Sequence, residues 1–136
     1  MKKGDQWAKK FATLSGTILC LLAVAIGAFG SHALSDVLIQ NQRTDTFELA
    51  NRYHFYHAFG LLLIAGLGEN TEITVNKTLR IAISCLFFGT LVFCSSLYSL
   101  ALSNLTYLGA ITPVGGALLI FGWATLVADK YNSFKA

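Results

Sequence analysis

Four apolar runs, each set off by polar or charged residues, divide the chain. The first, Phe11 to Phe29, has 19 residues, close to the ~20 that a helix needs to cross a ~30 Å hydrocarbon core. The second occupies about 50–68, the third Ile81 to Leu102 and the fourth Leu105 to Ala128. The pattern predicts four membrane-crossing helices in one all-α domain, residues 1–136: an integral membrane four-helix bundle. Between the first two runs, Gly30 to Asn51 is less apolar and carries Asp36, Arg43, Asp45 and Glu48. Ala33, Leu34, Val37 and Leu38 repeat there at helical spacing, which predicts a short amphipathic helix at the membrane interface. Asn41 to Thr44 reads as a break, with Thr44 or Asp45 as N-cap of the next helix and Glu48 as a capping-box partner. Gly68 to Asn76 reads as a polar turn, and Ser103–Asn104 as a turn too short for anything but an antiparallel return.

The second run is the awkward one. From Phe55 to Gly68 only 14 residues are free of charge, about 21 Å of helix against a ~30 Å core. The helix must carry Arg52 and His54 into the outer hydrocarbon zone or shelter them against its neighbours. The stretch from Asn51 to Gly60, NRYHFYHAFG, is therefore the part of the chain that most demands an explanation. Ionisable groups at that depth are costly, and they face protein or a wet cavity.

Composition places the chain. Hydrophobic residues make up 54% and charged residues 12%, half the ~25% of a soluble domain. That is too little charge to coat a water-facing surface. The net charge of +3 comes from residues at the ends of apolar runs, so no nucleic-acid patch is implied. With a cytoplasmic N-terminus, Lys2, Lys3, Lys9, Lys10, Lys77, Arg80, Lys130 and Lys135 fall inside, and Arg43 and Arg52 outside. The bias predicts a multi-pass protein of the bacterial inner membrane with both termini cytoplasmic. Trp7 sits among the first lysines, as headgroup-level aromatics do. A signal peptide is the rival reading of the basic start, but the first run is long for an h-region. Cys20, Cys85 and Cys94 all lie within apolar runs without a CxxC, and read as packing residues.

Candidate chemistry is sparse. His54 and His57 share a helix face, and His57 falls near mid-membrane. Three readings stand for the histidines: structural hydrogen bonding, ligand or lipid-headgroup contact, and metal or haem ligation. Metal ligation would need donors from other helices, and no Glu-x-x-His pattern supplies them; no cofactor is expected. Arg52, four residues after Glu48, is an interfacial ion-pair partner or an anion contact. Pro113 with Gly115 and Gly116 reads as a kink in the fourth helix. The candidate polar centre is therefore His32, Tyr53, His54, His57, Tyr98 and the Thr112–Pro113 kink, with Arg52 nearby, all in the outer half. No acidic residue falls inside a predicted span to carry a coupling proton, which weakens a transporter reading. No nucleophile–base pair, phosphate loop or HExxH occurs, so no enzyme is expected.

Four signatures occur in order: GAFGSHAL (Gly27 to Leu34), YHFYHAFGLLL (Tyr53 to Leu63), FCSSLYSLAL (Phe93 to Leu102), and ITPVGG followed by GW (Ile111 to Trp123). With this topology the chain, from about Leu14 to Val127, resembles the membrane family called domain of unknown function 423, which includes relatives of transmembrane protein 256. Ser31 stands where that family commonly has Ala, and the CSS of Cys94 to Ser96 where GS or SGS is usual. The resemblance implies a four-helix inner-membrane protein and lends no enzyme activity.

Function classes follow. The first expectation is a non-enzymatic accessory or scaffold protein, contacting membrane lipids and self-associating or joining a larger membrane complex. The alternative is a small transporter or a lipid- or quinone-binding protein using the His/Tyr/Pro centre. A redox or metal protein using the histidines is the third.

Overall fold

The computed structural model describes residues 3–67 and 77–135. They form α1 (Lys3–His32), α2 (Ser35–Gln40), α3 (Thr44–Leu67), α4 (Lys77–Ser103), a 3₁₀ segment (Thr106–Ala110) and α5 (Thr112–Lys135). There is no strand among the described residues. Three helical stretches are long and apolar enough to cross a membrane: Gln6–Gly30, Lys77–Ser103 and Thr106–Tyr131. The helix α3 has the length, 24 residues or about 36 Å. Asn51, Arg52 and His54 in its first half and His57 just past the middle keep it from being uniformly apolar.

The long helices pack in chain order, α1 on α3, α3 on α4 and α4 on α5, with a smaller contact between α1 and α4. The backbones of α1 and α5 do not meet among the described residues, so the bundle is open along that edge. The most buried span is α4, with 50% of its apolar window covered by protein against 17% for α5. Side-chain neighbours fix the directions. Gly16 faces Leu62, Gly27 faces Asn51 and Gly30 faces Phe47, which is antiparallel packing of α1 on α3. Gly89 faces Leu119, Gly115 faces Phe93 and Gly122 faces Leu86, which is the same for α4 and α5.

Small residues set how closely these pairs approach. A β-carbon on Gly30 would run into the Phe47 ring, and one on Gly115 would strike the backbone of Phe93. Ala12, Ala23, Ala50, Ala58, Ala82 and Ala101 are completely buried and line the same seams. At one end Ala8, Ala12, Leu61, Ala65, Leu79 and Ile83 form one apolar cluster from α1, α3 and α4. There the Arg80 guanidinium lies 6.0 Å from the Trp7 ring centre, a cation–π distance. At the other end Leu38, Phe47 and Ala101 form a second cluster that seats α2.

Turn chemistry explains the short pieces. Gln42 (φ 56°) and Asn104 (φ 54°) take the left-handed conformation that ends helices. Asn104 N–H donates to the Leu100 carbonyl, and Arg43 N–H to that of Leu38. Asn41 reaches across from the end of α2 and donates through Nδ2 to the carbonyls of Ala101 (3.0 Å) and Leu102 (2.9 Å). It thereby satisfies the end of α4, whose last carbonyls lack intrahelical donors.

The break expected at 41–44 is present, although Thr44 is already the first residue of α3 and Asp45 lies in its first turn. There a carboxylate complements the helix dipole. The fourth run departs from expectation. Leu105 leads into the 3₁₀ turn, α5 starts at Thr112, and Pro113 is its second residue. Pro113 is thus a helix start and not a kink: in a first turn its missing N–H forfeits no helical bond. The polar turn expected at 68–76 lies outside the described residues.

Candidate functional site

The polar residues of α3 do two jobs on two sides. Toward α4 and α1 they tie helices together. Asn51 projects from the second turn of α3, where Gly27 leaves room for its amide. Its Nδ2 donates to the Ala23 carbonyl on α1 (2.9 Å) and to the Tyr98 hydroxyl on α4 (3.1 Å). The Tyr98 oxygen lies 3.3 Å from His54 Nδ1. With its oxygen accepting from Asn51, the Tyr98 hydroxyl is free to donate to that nitrogen. One continuous chain of bonds therefore joins α1, α3 and α4. His54 is only 5% exposed, and its Nε2 is buried with no hydrogen-bond partner among the described residues.

His57 is also buried, but it bonds within its own helix: Nδ1 lies 2.7 Å from the Tyr53 carbonyl. A carbonyl only accepts, so Nδ1 carries the hydrogen. The His57 ring lies 6.2 Å from that of Trp123 on α5, and Tyr53 sits 5.1 Å from Phe93 on α4. A hydroxyl pair, Ser96 Oγ and Thr112 Oγ1 at 2.8 Å, fastens the start of α5 to α4.

On its other side α3 borders a groove of about 440 Å³ against α1 and α2. Gly27 and Gly30 form one wall, Ser35, Leu38 and Ile39 of α2 another, and Thr44, Phe47, Glu48, Asn51 and Arg52 the third. Arg52 and Glu48 pair across 3.8 Å with both side chains more than half exposed. Such a pair contributes little, roughly 0.3–0.5 kcal/mol, so both charges remain available to a ligand.

The expected polar centre is thus partly assembled. His54, Tyr98 and Tyr53 lie along the α3–α4 seam, His57 sits between Tyr53 and Trp123 of α5, and Thr112 joins α4 through Ser96. His32 is exposed at the end of α1, Pro113 is exposed in the first turn of α5, and Arg52 borders the groove. Sequence reasoning missed Asn51 and Asn41, the two amides that tie helices. It also placed Asp129 outside the fourth span, whereas the carboxylate is buried (4% exposed) within α5, 3.8 Å from Lys130 Nζ. The signal for the amides was available, since an Asn beside an apolar run requires a partner. No group of three or more His, Cys, Asp or Glu side chains suited to a metal gathers among the described residues.

Comparison with known proteins places the chain among bacterial membrane proteins of unassigned activity. It is 43% identical over 118 residues to a UPF0382 membrane protein of Staphylococcus epidermidis, covering 87% of this chain and 93% of the relative. It is 41% identical over 123 residues to the UPF0382 membrane protein SSP2132 of Staphylococcus saprophyticus, covering 90% and 98%. With the UPF0382 membrane protein YwdK of Bacillus subtilis the identity is 36% over 124 residues, covering 90% and 98%. No solved structure matches. The family model described as Protein of unknown function (DUF423) matches residues 26–116, a segment that holds the Asn51–Tyr98–His54 tie and the groove. The chain belongs to that family.

Proposed function

We propose that all four long helices cross the bacterial cytoplasmic membrane with both termini inside and α2 at the outer interface. In that setting the protein serves, without catalysis, as an accessory or scaffold subunit. The observation that carries the reading is the Asn51–Tyr98–His54 chain, which commits three polar side chains of the family's shared segment to joining helices. His57, held on a carbonyl of its own helix, adds to the same picture. The fourth crossing is supported by packing: α3 lies along both α1 and α4, so a bilayer spanned by those two encloses it as well. The open edges of α1 and α5 suit a second copy or another membrane subunit.

Cross-linking in intact membranes, followed by native mass spectrometry after extraction in mild detergent, tests the subunit role. A homo-oligomer or a defined larger complex is expected. A chain that stays monomeric in both measurements contradicts it. A small transporter or a lipid- or quinone-binding protein is the second reading, and the buried Nε2 of His54, without a partner among the described residues, is the observation that favours it.

A further inference from the structure

We infer that the groove between α1, α2 and α3 is a site for one phospholipid whose phosphate carries a terminal ammonium group. The site meets the histidine seam only at Asn51, and the inference rests on the four-span reading above. Its volume of about 440 Å³ lies within the ~300–1,000 Å³ typical of small-ligand sites. That is room for a headgroup and the first methylenes, with the acyl chains continuing into the bilayer. The lining changes character as such a molecule does. Gly27 and Gly30, without side chains, and the apolar Ile39 and Phe47 offer methylene contacts, and Glu48 and Arg52 offer one charge of each sign.

The order of those charges selects the headgroup. Glu48 precedes Arg52 by four residues on a helix entering from the outer face, so it lies about 6 Å further outward. In the headgroup the ammonium lies beyond the phosphate, in the same order. The phosphate meets the Arg52 guanidinium, which matches it in a fork geometry, and the ammonium meets the Glu48 carboxylate. The existing 3.8 Å contact between the two side chains is long and exposed, so separating them costs little. Asp36 and Asp45, both exposed at the same end, outnumber the single Arg43 there and leave a net negative potential that favours an ammonium and opposes a purely anionic headgroup.

The test uses the full chain in vesicles of equimolar phosphatidylethanolamine and phosphatidylglycerol with matched acyl chains, read by native mass spectrometry. The wild type is expected to retain phosphatidylethanolamine over phosphatidylglycerol by about fivefold, roughly 1 kcal/mol. Glu48→Gln should abolish the preference, and Arg52→Gln should lower retention of both lipids. Both side chains are more than half exposed, and circular dichroism of the variants checks that they fold. Equal retention by the wild type, a preference for phosphatidylglycerol, a preference surviving in Glu48→Gln, or undiminished retention in Arg52→Gln overturns the proposal. Lipid registers as lipid-sized mass increments and partner subunits as protein mass, so this site and the subunit role fail separately.

Discussion

Tyr98 is the residue on which the interior polar chemistry converges. Its ring lies 5.1 Å from Phe47, and its hydroxyl joins Asn51 to His54. Tyr98→Phe keeps the ring contact and strands an amide N–H and an imidazole nitrogen in apolar surroundings. The expected cost is roughly 1–3 kcal/mol, measured as a lowered thermal midpoint in detergent; a change of a few tenths would show that the tie holds nothing. Local spacing singled out His54 and His57 because three-residue intervals are visible within one helix. It could not expose the Asn51 bonds, whose partners Ala23 and Tyr98 lie 28 and 47 residues away. Nor could it show that His57 answers to its own helix, because a ring nitrogen reaching the carbonyl four residues back depends on rotamer.

At the scale of elements, three of the apolar runs were legible because they are long enough to cross a bilayer. The start of α5 was not. Leu105 to Ile111 is as apolar as the helix that follows, so hydropathy runs through the 3₁₀ turn without a mark. A proline in a first turn also looks, in sequence, like a proline that kinks a longer helix. The adjacent glycines after it separate two roles that sequence leaves alike. Gly115 is pressed on the Phe93 backbone, while a β-carbon on Gly116 would meet the Phe93 ring at 3.7 Å, an ordinary contact. Gly115→Ala should therefore destabilise by about 1–3 kcal/mol as α5 is pushed off α4. Gly116→Ala should be neutral or stabilising by up to ~1 kcal/mol through helix propensity. Equal effects in parallel thermal melts would contradict the packing described here.

For the whole molecule, the decisive feature is a helix whose N-terminal part is polar and which nevertheless packs between two apolar ones. The α3 helix meets α1 through Gly27 and Gly30 and meets α4 through Tyr98 and Phe93. Apart from His54 Nε2, buried without a hydrogen-bond partner among the described residues, its costly groups are partnered by protein or left exposed near its N-terminal end. If it crosses the bilayer, the number of crossings is even and the termini share a side; if it does not, three crossings put them on opposite sides. Enzyme reporters decide between these in living cells. An alkaline phosphatase fused behind Ala136 should stay inactive and a fluorescent protein fused there should fold, with the same outcome at the N-terminus. An active phosphatase at the C-terminus, beside a cytoplasmic N-terminus, would contradict the four-span architecture.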